Sequence, residues 1–424
     1  MCRYCCSDQL YVLGGYMELK QFKRRIDFYY TAMQFTSFAS SFVIFLYITV
    51  ILQEKHFSNT EIGLTLALGS ALSIVLPPLI AAFYAHHAHL PLRRVAAYVR
   101  LVTFVFTSLL IVVNSPIVLV SLIVIVISGT TISVNPLVNA MAMQFENAGI
   151  PVNYGVARAF GSLGCAVMAY ASGLLSTYLG GSAAVIAASL VLLAAAMLFT
   201  LLFPIPKRSG HANEGHAPLP ISGAIGFKLL KSPASLLFFL VMMLIWANMG
   251  VFDTYQVNIL RNAGGDDVDF GLMLTVMTLC EVPLTLFFER LTKRFSYVQL
   301  MTAGFVFMLL KDIALIFAAS VPAVIAAQGF NLATIGLFVP ASVYYINGIT
   351  ETTQTVQAQA LFGGTAMAIG RIIGNLLGGV VLDRAGITAM LLVCLGYALL
   401  SIVLLQLSSR LQRKGLITTS EAAE

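Results

Sequence analysis

Asn153-Tyr154-Gly155-Val156-Ala157-Arg158-Ala159-Phe160-Gly161-Ser162-Leu163-Gly164 decides how this chain is to be read. One guanidinium sits in a run that is otherwise mostly apolar and dotted with glycine. A guanidinium keeps its charge, and placing it at membrane depth costs at least a few kcal/mol, so it must face a partner or a watery cavity. A helix built around such a residue belongs to a pathway through a membrane rather than to an anchor in one.

The surroundings agree. The chain has 424 residues, 59% hydrophobic and only 10% charged, where soluble domains carry roughly 25% charge. Apolar runs of about 20 residues, the length that crosses a bilayer, recur along nearly the whole chain. They predict twelve helices near 27–52, 60–84, 95–114, 117–143, 154–178, 182–203, 234–260, 268–288, 297–318, 322–346, 356–382 and 387–408. The alternating ten-residue segments of a membrane barrel are absent. The expected class is an all-α membrane protein.

Lysine and arginine set the orientation. Arg3, Lys20, Lys23, Arg24 and Arg25 precede the first span, and Arg93 and Arg94 follow the second. Lys207, Arg208, Lys228 and Lys231 occupy the central loop, Arg290, Lys293 and Arg294 follow the eighth span, and Arg410, Arg413 and Lys414 close the chain. The opposite loops hold only Lys55, Arg261 and Arg384. Both termini and the central loop are therefore expected in the cytoplasm, in a multi-pass protein of the cell membrane. This topology accounts for the net charge of +6 without a nucleic-acid partner.

A proline- and glycine-bearing polar stretch at mid-chain reads as a hinge between two halves. The expected organisation is a tail at 1–25, a six-helix bundle at 26–203, a linker at 204–232, a second six-helix bundle at 233–408 and a tail at 409–424. The halves repeat one another. The second span opens Asn59-Thr60-Glu61-Ile62-Gly63 and the eighth opens Asp267-Val268-Asp269-Phe270-Gly271. Gly164, Gly173 and Gly180 in and after the fifth span recur at the same spacing as Gly370, Gly379 and Gly386. Parallel repeats of six spans, with a site between them near the midplane, describe a transporter that works by alternating access. Gly370, Gly374 and Gly378 form a ladder on one helical face, which lets another backbone come close.

The second half also carries charges at membrane depth: Asp253, Glu281, the adjacent Lys311 and Asp312, and Arg371. Ionised groups are too costly to leave alone in hydrocarbon, so these are expected to meet across a polar core. The carboxylates Glu281, Asp312 and Asp253 suit proton coupling, and Lys311 and Arg371 suit counter-ion roles. Cys165, Cys280 and Cys394 read as packing residues. Cys2, Cys5 and Cys6 match no zinc spacing and read as a loose tail, or as residues ahead of a true start at Met17. His86, His87 and His89 read as a solvated loop, with metal binding or pH sensing the alternative. No metal and no cofactor is expected. With no HExxH, no paired-carboxylate loop motif and no nucleotide-binding loop, no enzymatic activity is expected either.

Several motifs resemble the major facilitator superfamily, in the branch that holds the lactose permease, the nucleoside–proton symporters and the phenylpropionate transporters. They are Tyr154-Gly155-Val156-Ala157-Arg158-Ala159-Phe160-Gly161-Ser162, Cys280-Glu281-Val282-Pro283, Gln359-Ala360-Leu361 and Gly374-Asn375-Leu376-Leu377-Gly378-Gly379-Val380-Val381-Leu382-Asp383-Arg384. The resemblance covers the chain after about Met17 and implies two pseudo-symmetric six-helix bundles. It implies that Arg158 meets substrate, that Glu281 is the acidic residue of the eighth helix, and that Lys311 stands where relatives carry arginine. It also marks departures. Asn139 stands where the permease has the acidic partner of its arginine, Asn331 where histidine is common, and Thr334 where the permease has its coupling glutamate. The loop Tyr84-Ala85-His86-His87-Ala88-His89 lacks the superfamily's usual acid. Asn139 and Asn331 join Arg158 as candidate substrate contacts, and proton transfer is expected to run through Glu281, Asp312 or Asp253.

The function expected is secondary active transport of a small organic solute (a sugar, a nucleoside or an aromatic carboxylate), coupled to a proton, by a monomer in the lipid bilayer. The aromatic residues of the first span, Phe28, Tyr29, Tyr30, Phe35 and Phe38, and Tyr344 and Tyr345 in the tenth, offer rings for stacking or serve as packing. A uniporter or exporter of the same fold, or a sensor derived from it, is the alternative.

Overall fold

A computed structural model describes residues 16–87, 90–205, 229–350 and 355–421. Cys2, Cys5, Cys6, His89 and most of the linker at 204–232 lie outside the described residues. Twelve helical rods follow one another. They are α1 (Tyr16–Phe42, a π turn Val43–Tyr47 and Ile48–Glu54), α2 (Asn59–His86), α3 (Leu92–Val112), α4 (Ile117–Asn147), α5 (Tyr154–Tyr178) and α6 (Ser182–Leu202), then α7 (Pro233–Asn262), α8 (Asp267–Leu291), α9 (Tyr297–Ile316), α10 (Val321–Ala327, Gln328–Phe330 and Asn331–Ile349), α11 (355–385) and α12 (387–421). The described residues include no strand.

Ten stretches are long and apolar enough to cross a membrane. One of them, Gln359–Gln412, is two spans divided at Gly386, whose φ of 80° and ψ of −178° break the helix. α8 is the twelfth rod, 25 residues long but burdened with Asp267, Asp269, Glu281, Glu289 and Arg290. The outermost helices exceed the lengths expected from hydropathy. α1 begins at Tyr16 and α12 runs to Glu421, because Lys, Arg, Glu and Gln are good helix formers once the chain has left the hydrocarbon.

The halves echo each other in detail. Capping boxes open both α2, through Ser58 and Glu61, and α8, through Asp266 and Asp269, each satisfying otherwise orphaned amide donors. Prolines interrupt α2 at Pro77 and Pro78 and α8 at Pro283, as they do α4 at Pro136 and α10 at Pro340. Neighbouring helices make such breaks tolerable within a membrane.

Packing between the halves is lopsided. α2 lies on α11, α5 on α8, and the end of α1 on α7. One apolar core, including Tyr47, Ile51, Ile62, Phe252, Tyr255 and Phe270, belongs to both halves. It lies at the end of the molecule opposite the termini. Towards the terminal end each half keeps a core of its own, around Tyr30, Phe145 and Phe203 in the first and Phe238, Phe305 and Phe338 in the second. There the start of α5, residues 153–156, is exposed, as are Met143, Val343 and Tyr344.

The seam is built from close backbone approach. A Cβ on Gly173 would stand 2.5 Å from the carbonyl oxygen of Asp267, and one on Gly379 would collide with that of Asn59. These are mates under the internal repeat, α5 on α8 and α2 on α11. Gly370, Gly374 and Gly378, by contrast, face Met243, Ala247 and Tyr255 of α7. The ladder binds α11 to α7 inside the second half.

Candidate solute and proton site

Arg158 leaves α5 where α1 and α8 converge. Its guanidinium lies 4.3 Å from the centre of the Phe38 ring, and the side chain is exposed. Among the described residues no carboxylate lies within ion-pairing distance of it. Glu281 of α8 is nonetheless within its electrostatic reach, and Asp253 and Lys311 are within that of Glu281. Arg158 and Glu281 therefore confront each other from opposite halves.

Three more charges stand on the C-terminal side. Arg371 pairs with Asp253 at 2.6 Å, each side chain about one-fifth exposed, and its guanidinium lies 5.7 Å from the Trp246 ring centre. Lys311 is buried and carries Nζ 4.1 Å from the Phe252 ring centre. It donates to Asn331 Oδ1 at 3.2 Å, and Asn331 donates in turn to Gln328 Oε1 at 3.1 Å. Aromatic faces stabilise cations most where water is scarce.

Lys311 and Asp312, adjacent in sequence, find different hydrogen-bond partners, because successive residues on a helix point about 100° apart. Asp312 is fully buried, accepts from Asn248 Nδ2 at 3.0 Å while Asn248 also donates to the Cys394 carbonyl, and stays within electrostatic reach of Lys311. Its Oδ1 has no partner. The charges of the second half, Asp253, Arg371, Lys311, Glu281 and Asp312, thus form one electrostatically connected group. Asn139 is half-buried on α4.

The aromatic residues divide as well. Phe28 and Phe35 line a crevice of about 590 Å³ with Phe160, Phe199 and Asp27, between α1, α5 and α6. Tyr30 is buried core. Tyr344 stacks on Phe288 and Tyr297, and Tyr345 donates to Gln412. His86 and His87 sit against the Ala82 and Phe83 carbonyls at the end of α2, and the described residues hold no cluster of metal ligands.

Polar side chains latch the end opposite the termini. Asp383 accepts from Asn59 at 2.8 Å and from the Thr60 amide at 2.7 Å. Asp267 accepts from Tyr47 and Ser176 and pairs with Arg261, which also donates to Gln53 Oε1. Asn258 connects Gln53 to Asn59. The hydrogen bonds that join the halves gather here.

Sequence reasoning missed Arg100 altogether. It lies inside α3, 3% exposed, and its signal was plain: a single cation five residues into the apolar span at 95–114. Phe38 and Trp246 as cation supports were not legible without the packing.

A family model described as the MFS_1 like family matches residues 28–393. The maltose permease of Geobacillus stearothermophilus is 27% identical over 272 residues, 63% of this chain and 66% of the permease, so the match spans about two thirds of that relative's length. Among solved structures, the nucleoside transporter NupG matches with a TM-score of 0.76 at 18% identity, over 92% of this chain and 98% of its own. The POT family transporter PepTSo matches with a TM-score of 0.68 at 13% identity, over 92% and 99%. The fold of twelve helices in two six-helix bundles is the fold of those structures.

Proposed function

Since this chain belongs to the MFS_1 like family and is a multi-pass membrane transporter, we propose that it is a proton-coupled carrier of a small hydroxyl-rich solute such as a sugar or nucleoside. The observation that carries this is the placement of Arg158 and Glu281, one on each half, facing across the seam. A group inserted between a donor-only guanidinium and a carboxylate must both accept and donate, which hydroxyls do. The maltose and nucleoside transporters among the relatives agree with that class.

Glu281 is the coupling residue in this reading, with Asp253 and Arg371 as the pair that tunes its field and Asn331 and Asn139 as further solute contacts. Asp312 is the lesser candidate because it is fully buried and engaged by Asn248. The lysine and arginine distribution supports cytoplasmic termini, and in that orientation the conformation is closed outside and open inside. Alternating access then requires the polar latch around Asp383 and Asp267 to open while the terminal end closes.

Purified protein in liposomes with an inward proton gradient tests the proposal, using a panel of labelled sugars and nucleosides. Uphill accumulation of one member, collapsed by a protonophore and lost in Glu281→Gln, is the expected result. Accumulation that ignores the gradient would reduce the protein to a uniporter. No uptake of any hydroxyl-rich solute alongside uptake of carboxylates would overturn the substrate class.

A further inference from the structure

The N-terminal half contains a second arginine that transport by Arg158 and Glu281 does not use. Arg100 of α3 is enclosed among α1, α4 and α6, 3% exposed. Its Nη2 donates to Ser37 Oγ at 2.7 Å, but its Nε is buried without a partner. The four described carboxylates of this half, outside the side chains at the start of α1, are engaged elsewhere. Asp27 accepts from Asn153, Glu54 from Ser182, Glu61 caps α2 and Glu146 accepts from the Val152 amide. A permanent cation is thus buried with no counter-charge beside it, at a cost of several kcal/mol unless something supplies one.

A cavity lies against it, lined by Ser37, Ser40, Thr107, Thr131 and Ser189 among others, and reaching the surface at the exposed Asn135 of α4. The Oγ1 atoms of Thr107 and Thr131 are likewise buried without partners. Three unsatisfied polar atoms that can each donate therefore surround one small space. That space offers about 20 Å³ to the centre of a water-sized occupant, little more than one such occupant needs. A sugar, nucleoside or carboxylate solute does not fit; a monatomic ion does.

We propose that Arg100 and its ring of hydroxyls hold a small inorganic anion of the size of chloride, as a resident counter-ion inside the N-terminal bundle. The anion supplies the charge missing from the chain and accepts from Arg100 Nε, Thr107 and Thr131 together. It ties α1, α3, α4 and α6 to one another, so the half rocks as a rigid unit. The site is independent of the solute: it lies within one half, whereas Arg158 stands at the seam.

Thermal unfolding of the purified protein, with chloride exchanged for gluconate at constant ionic strength, reads the site directly. An anion bound to the folded state raises the midpoint in proportion to the logarithm of its concentration above Kd. The expected result is a rise of several degrees that grows with the logarithm of chloride or bromide concentration, absent in gluconate, abolished by Arg100→Gln and retained by Arg158→Gln. Should Arg100→Gln fail to fold, Thr107→Val/Thr131→Val keeps the guanidinium and is expected to move the onset of the rise to about tenfold higher chloride, for the roughly 1.4 kcal/mol of lost hydrogen bonding. Anomalous scattering from crystals grown in bromide is expected to peak beside Arg100. Equal midpoints in chloride and gluconate, a rise unchanged in both variants, or no anomalous peak beside Arg100 would overturn the proposal. Loss of the rise in Arg158→Gln would move the anion to the seam and overturn it equally.

Discussion

The two halves of this transporter are copies in backbone and opposites in charge. Each opens its second helix on a capping box and lays a glycine of its fifth helix on the facing carbonyl of the other half. Yet the first half offers cations without acids, Arg158 and Arg100, while the second offers acids with cations, Asp253 with Arg371 and Glu281 within reach of Lys311. In the proposed function, shared geometry lets the halves rock about a common seam, and divergent charge gives solute recognition to one side and proton exchange to the other.

The symmetry of the seam is the easiest part of this comparison to break. Gly173→Leu and Gly379→Leu each drive a side chain into a backbone carbonyl of the other half. Both are expected to abolish transport while solute binding survives, measured by flux and by binding to the same preparation. If one tolerates leucine and the other does not, the halves do not close as mirror partners. Next in size is the ion pair of the second half. Asp253→Asn leaves Arg371 half-buried and unpaired, with an expected stability loss of roughly 2–3 kcal/mol. Denaturation of Asp253→Asn beside Asp253→Asn/Arg371→Gln checks it, because the double variant should recover part of the loss. Arg158→Lys in the first half is expected to raise KM about tenfold with little change in stability, since lysine cannot reproduce the planar fork of donors. An unchanged KM would take Arg158 out of the solute site. Smallest are the caps: Ser58→Ala and Asp266→Ala should each cost about 1 kcal/mol, and a large difference between them would show that the two seams are unequally strained.

Much of the architecture was legible because it is periodic. Twenty-residue apolar runs, a glycine triplet repeated half a chain later and one-sided loop charge are all properties of spacing, and spacing survives in the sequence. The break between α11 and α12 falls at Gly386, between the spans expected at 356–382 and 387–408. The site was legible in its residue types and not in its partners. Lys311 and Asp312 adjoin in sequence yet look in different directions, and Lys311 finds Asn331 only because α9 and α10 pack together. The glycine ladder pointed to close packing without saying that α7, inside the same half, was the neighbour. Arg100 escaped because an apolar span was read as uniform, although one buried cation is the feature such a span least tolerates.

The division of labour between the halves is tested most directly by solute-driven proton entry, followed with a pH-sensitive dye trapped in liposomes. The wild-type protein is expected to acidify the lumen when its solute is added. Arg158→Lys should do the same at higher solute concentration, and Glu281→Gln should carry no protons at any concentration while still exchanging solute for solute. Proton entry through Glu281→Gln, or a loss of proton coupling in Arg158→Lys at saturating solute, would contradict the assignment of solute to the first half and proton to the second.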